Sequence, residues 1–176
     1  MSCDITLGRK EACKTSVGGL KAVYFINYDG DFYNAATKTN DVITGLNAAV
    51  SSFKYELKGD NNTFEEANEN SRDNGTSFFT QTGALVIKVQ DSATQAELTL
   101  LSYGRPHVII EDHNGNFRLA GAKNGVEVSV STSTGGAMGD LNGYNLSFEG
   151  KEVNLSTYVD SALMGAVDGF VVTEGA

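Results

Sequence analysis

From Lys21 to Tyr28 apolar side chains occupy both parities, with Ala22, Tyr24, Ile26 and Tyr28 set against Val23 and Phe25, the pattern of a central strand covered on two faces. Phe53, Tyr55 and Leu57 instead alternate with Lys54, Glu56 and Lys58, which predicts a strand with one face on apolar material and the other in water. Between them, Gly30 to Asn47 is rich in Asn, Asp and Thr and reads as loop, with a weak strand at Asp41 to Thr44. Asp60 to Gly75 is polar and acidic around a single Phe64, an exposed loop or ribbon that adds little to a core. Ser77 to Gln90 returns to strand character, with Leu85, Ile87 and Val89 on one face and Val86 and Lys88 on the other. Ser92-Ala93-Thr94-Gln95 has the spacing of a capping box, so one helix is predicted over about residues 93–103. Ala93, Ala96, Leu100 and Tyr103 then share a face, and Gly104 and Pro106 end the helix.

Downstream, Val108-Ile109-Ile110 and Phe117-Arg118-Leu119 flank Asn114-Gly115, the dipeptide that most readily supplies two residues of positive φ to a tight hairpin. Val126, Val128 and Val130, then Tyr144, Leu146 and Phe148, alternate with polar residues and predict two more one-sided strands joined by the Gly-rich loop Thr132 to Gly143. Past Glu152 the pattern weakens. The expected fold is mainly β, an antiparallel β-sandwich or barrel with one α-helix, in a domain of residues 1–152 followed by a C-terminal extension or arm over 153–176.

Composition narrows the function. The 176 residues suit one domain burying roughly 70% of its unfolded surface. Thirteen basic against twenty-two acidic side chains leave a net charge of −9, which repels nucleic-acid phosphate and anionic lipid. No run of about eighteen apolar residues predicts a membrane anchor, and the first ten residues lack the apolar core of a secretory signal, so synthesis in a cytoplasm is expected. Four Asn-x-Ser/Thr triplets, at Asn61, Asn74, Asn145 and Asn154, carry little meaning without an export signal.

Candidate chemistry is sparse. Cys3 and Cys13 have no neighbouring His and no recognised zinc spacing, and read as free thiols. Asp112-His113-Asn114-Gly115-Asn116 crowds oxygen ligands as a calcium loop does, but lacks the alternating acids and the terminal Glu, so turn chemistry is expected. Ser133 to Asp140 resembles a phosphate cradle without its Lys, and Asp140 opposes an anion. His107 and His113 are an even number of residues apart, yet no orienting group lies near them in sequence, and both read as surface histidines. Glu65, Glu66 and Glu69 read as a solvated polar face rather than a catalytic carboxylate pair. Arg105, at the junction of helix and hairpin, is placed to bind helix-end carbonyls or a carboxylate of a neighbouring chain. Tyr28, Phe32 and Tyr33 are the clustered loop aromatics that a receptor- or carbohydrate-binding β-domain would use. Neither a cofactor nor an enzymatic activity is expected.

Five strings carry a resemblance: Ser2-Cys3-Asp4-Ile5-Thr6, Gly18-Gly19-Leu20-Lys21-Ala22-Val23-Tyr24-Phe25, Phe53-Lys54-Tyr55-Glu56-Leu57, Leu101-Ser102-Tyr103-Gly104-Arg105-Pro106-His107-Val108 and Ala137-Met138-Gly139-Asp140-Leu141-Asn142-Gly143-Tyr144. Over about residues 1–152 the chain resembles virion proteins of Bacteroidetes-infecting tailed phages, with a layout similar to the phage tail tube family. The resemblance implies a homo-oligomer, commonly a hexameric ring, that stacks into the virion tail after assembly in the host cytoplasm. Its implied partners are copies of itself, other phage tail proteins, and genomic DNA passing through the lumen without specific binding. A neck, connector or tail-terminator ring is the alternative within the same virion. Self-pairing also suits the physics, because an open sheet has edges that need covering. The residues expected at ring-to-ring contacts are Phe64, Glu65, Glu66, Glu69 and Arg72 of the ribbon, with Arg105 as a further assembly contact.

Overall fold

A computed structural model describes Ile5 and residues 7–175; Cys3 lies outside the described residues, and Cys13 is a free, exposed thiol. The elements in chain order are β1 (Leu20–Ile26), α1 (Phe32–Ala35), β2 (Thr37–Thr39), β3 (Val42–Gly45), β4 (Val50–Glu56), β5 (Thr63–Ser71), β6 (Thr76–Lys88), α2 (Ser92–Tyr103), β7 (His107–Asp112), β8 (Phe117–Ala120), β9 (Glu127–Ser133), β10 (Gly143–Glu152), β11 (Thr157–Val159) and β12 (Phe170–Glu174). They form an eight-stranded sheet in the order β12-β4-β1-β7-β8-β11-β3-β2 and a four-stranded sheet in the order β5-β6-β10-β9. The fold is thus mainly β and sandwich-like with one substantial helix, and neither sheet closes into a barrel. Most pairings are antiparallel, while β11 to β3 and β12 to β4 run parallel.

The two-faced pattern of β1 has its expected cause, since the strand lies between β4 and β7 with a core on either side. Val23 and Phe25 join Val108, Ile110, Leu85, Leu146 and Phe148 in the core between the sheets, which α2 closes with Leu98. Ala22, Tyr24 and Ile26 face a second core, to which every strand of the large sheet except β2 contributes, from Phe170 on β12 to Ile43 on β3. The large sheet therefore rolls around one cluster, plugged by Phe32 and Tyr33 of α1.

Several expectations need correction. Gly30 to Asn47 is an ordered unit of α1, β2 and β3, because a primed turn at Asn40 and Asp41 (φ 53° and 63°) folds a hairpin that buries Ile43. Phe32 and Tyr33 are core residues, which removes the loop aromatic cluster. At Asn114-Gly115 only Gly115 takes positive φ; Asp112 shapes the turn by accepting from the backbone N–H groups of Asn114 and Asn116, each at 2.8 Å. The helix cap lies one residue earlier than the capping box implied, for the Asp91 carboxylate accepts from the Thr94 backbone N–H at 2.8 Å. Leu98 and Leu101 face the core, while Leu100 and Tyr103 stand 66% and 86% exposed, so the face that Ala93, Ala96, Leu100 and Tyr103 share points outward. Val89 leaves the β6 pattern at φ 68°, where the chain turns towards α2. The stretch over 153–176 supplies β11 and β12 to the large sheet.

Candidate assembly surfaces

Side chains on β6 and β10 alternate inward and outward, and the registers align the outward ones in rows across the small sheet. Glu65 lies opposite Thr82, Thr82 opposite Glu149, and Glu149 opposite Glu127, so one row holds three carboxylates. The next row is Thr63, Ala84, Ser147 and Ser129. These rows floor an open trough of about 950 Å³, walled at one end by Arg105, Asn124 and Gly125. Lys151 partners Glu149 at 3.6 Å. Like charges directly opposite one another weaken a sheet, so the placement of Glu127 against Glu149 has a cost.

The ribbon expected at Asp60 to Gly75 is β5 and the hairpin it makes with β6, paired from Thr63 with Ala84 to Ser71 with Thr76. Its predicted contact residues divide into two groups. Phe64 is half-buried and stacks on Phe148, with ring centroids 6.1 Å apart, so it belongs to the core. Glu66 is also turned inward, which corrects its reading as a solvated acid. Its carboxylate accepts from Gln81 Nε2 at 3.0 Å, from the Ser156 backbone N–H at 2.6 Å and from Ser156 Oγ at 2.8 Å, with Arg118 Nη1 at 3.8 Å. It ties the small sheet to the large one. Glu65, Glu69 and Arg72 are exposed, Glu69 accepting from the Thr80 hydroxyl and Arg72 lying at the hairpin tip.

Arg105 is exposed and lies apart from the hairpin tip, beside the trough. Its guanidinium sits 4.4 Å over the Tyr28 ring, whose other face stacks on His107 at 5.1 Å. His107 is fully buried, contrary to its expected surface position. Its Nδ1 lies 2.6 Å from the Gly121 carbonyl, and its Nε2 lies 3.1 Å from both the backbone nitrogen and the carbonyl of Asp29, so both ring nitrogens are engaged by backbone. His113 is exposed beyond the far end of β7, so the two imidazoles share no site. Gln81, Ser156 and His107 were invisible as a group because their partners are 15 to 90 residues away in sequence or are backbone atoms.

Two loops with candidate chemistry are internally satisfied. Asp140 Oδ2 accepts from the backbone N–H groups of Gly136 and Ala137, each at 2.8 Å, and these bonds hold its carboxyl below the usual value. The anion in that glycine-rich loop is the chain's own. Burial pushes the Asp112 carboxyl up, but bonds from Asn116 and Asn114 outweigh it and leave the group lowered. Among the described residues no cluster of three or more His, Cys, Asp or Glu is arranged to hold a metal ion, and no helix is long and apolar enough to cross a membrane.

A second, smaller groove of about 260 Å³ lies between α2 and the ends of β1 and β4, lined by Tyr28, Phe53, Tyr55, Glu97, Leu100 and Pro106 among others. Burial, and then the nearby Glu97 charge, raise the Tyr55 phenol above its ordinary value. Comparison of the chain with protein-family models, with curated proteins and with solved structures finds no match.

Proposed function

We propose that this chain is a structural protein of a phage virion that assembles with its own copies into stacked rings, the tail tube through which DNA is delivered. The observation that carries the reading is the small sheet, whose outward face bears the acid row of Glu65, Glu149 and Glu127 and whose β5 and β9 edges have no strand beside them among the described residues. Copies pairing across those edges would turn four-stranded sheets into a continuous wall, covering backbone groups that otherwise invite indiscriminate pairing. An inner wall in which Glu65, Glu127 and Glu149 outnumber Arg105 and Lys151 keeps a net negative charge that repels passing phosphates. The β5–β6 hairpin tip, with Glu69 and Arg72 exposed, is the contact to the next ring. Stacking of this kind is heterologous, so a tip of mixed charge needs a different surface to receive it.

Negative-stain electron microscopy of the purified full-length protein tests this: long tubes are expected. Isolated rings would assign the chain instead to a neck, connector or tail terminator, and monomers at high concentration would overturn self-assembly altogether. Deleting Asp60 to Gly75 would also remove β5 and the Glu66 ties, so the informative variant is Arg72→Glu combined with Glu69→Lys. It is expected to leave folded rings that no longer stack; unaltered tubes would exclude the tip as the contact.

A further inference from the structure

The N-terminal segment and the groove beside α2 lie at opposite ends of β1. All described residues before Leu20 are exposed and belong to no helix or strand. Ile5 and Leu7 are 93% and 86% exposed. The segment is moored near its junction with β1, where Asn114 Oδ1 accepts the Val17 backbone N–H at 2.9 Å and Asn114 Nδ2 donates to the Val17 carbonyl at 2.7 Å. Asn114 belongs to the β7–β8 turn, the end at which β1 begins. The groove lies where β1 finishes, beyond Ile26, about 20 Å away by strand rise. From Gly19 back to Leu7 the extended chain reaches about 43 Å, enough to bridge to a neighbour.

The two surfaces are chemically complementary. Ile5 and Leu7 are spaced by two, as on one face of an extended strand, and the groove offers Phe53, Tyr55, Leu100 and Pro106. Arg9, Lys10 and Lys14 against Glu11 give residues 7–19 a charge of +2, whereas residues 20–176 carry −10; the groove wall itself holds Glu97 and Arg105, so the attraction is to the body of the neighbour, with Glu97 the one carboxylate in the groove. The trough on the small sheet is also acidic, but Ala84 and Phe148 are the apolar side chains in its lining, against Phe53, Tyr55, Leu100, Leu101 and Pro106 in the groove.

We infer that the N-terminal arm of one copy docks into the α2 groove of the next, Ile5 and Leu7 seated on Leu100 and Phe53 and the arm's basic residues turned towards Glu97. Each copy then carries one unused arm and one unfilled groove at opposite ends, a head-to-tail arrangement that propagates from copy to copy. The inference deepens the self-assembly reading and rests on it only for the presence of identical neighbours; it does not depend on the β5–β6 tip.

The test uses the full chain with Cys3→Ser and Cys13→Ser, into which Leu7→Cys and Leu100→Cys are introduced. Mild oxidation is expected to give a ladder of covalently linked copies on a non-reducing gel, with either cysteine alone giving at most dimers. A monomer bridged internally would show that the arm folds onto its own groove, and an absent ladder would show that it docks elsewhere; either result overturns the inference. In parallel, Leu100→Glu on the otherwise native chain alters only an exposed side chain and is expected to weaken association at least tenfold by sedimentation; unchanged association would also overturn it. Tubes by microscopy without a ladder would leave the tail-tube reading standing and remove the arm. A ladder without rings or tubes would do the reverse.

Discussion

Glu65 and Glu66 are adjacent in sequence and opposite in role, because a strand sends neighbouring side chains to opposite faces. Glu65 stands in the outward acid row, while the Glu66 carboxylate collects Gln81, Ser156 and Arg118 beneath the sheet. Gln81 continues the polar seam by accepting the Gly121 backbone N–H through Oε1 at 2.8 Å, and the Gly121 carbonyl in turn meets His107. Removing the Glu66 carboxylate leaves buried donors unpaired, so Glu66→Ala is expected to cost about 3 kcal/mol. Glu65→Ala should stay within about 0.5 kcal/mol. Urea denaturation at constant slope distinguishes them; equal losses would show that the inward ties do not hold the sheets together.

Helix α2 is specified at its start by Asp91, whose carboxyl the Thr94 hydroxyl and then the Thr94 backbone N–H hold below its ordinary value of 3.8. A carboxyl depressed in the folded state adds stability above its unfolded pKa, and that stability is lost as pH falls through the lower folded value. Asp112 and Asp140, both lowered, act in the same sense. The melting temperature should therefore fall between about pH 5 and about pH 3, and Asp91→Asn with Asp112→Asn should flatten that fall. At neutral pH, Asp91→Ala is expected to lower the melting temperature and Ser92→Ala to leave it nearly unchanged; the opposite order would restore Ser92 as the cap. Helical periodicity marked a helix here without deciding which face it buries. Ala93, Ala96, Leu100 and Tyr103 satisfy the spacing as well as Leu98 and Leu101 do, and only the position of the sheet beneath decides between the two stripes.

At the scale of the whole molecule, the outer strands β12, β2, β5 and β9 lie at the edges of two open sheets, on a chain of net charge −9. Copies of such a chain repel one another at long range, and salt shortens that repulsion to about 10 Å at 0.1 M. Edge-to-edge pairing of copies into rings is therefore expected to strengthen as ionic strength rises, followed by light scattering at fixed protein concentration. Dissolution by salt would instead point to contacts dominated by exposed ion pairs.

Alternation and turn chemistry alone determined the mainly β class, the central place of β1, the β7–β8 hairpin and the β9 and β10 strands, because each of these signals is written within a few neighbouring residues. The tertiary structure decided what depends on distant partners. It set the inward turn of Glu66 towards Ser156, the burial of His107 against Gly121 and Asp29, and the entry of Phe170 beside β4. It also set the alignment of Glu65, Glu149 and Glu127 across strands far apart in the chain. Local pattern says that a side chain has two faces to choose from; which face is buried follows from what the rest of the chain lays against it.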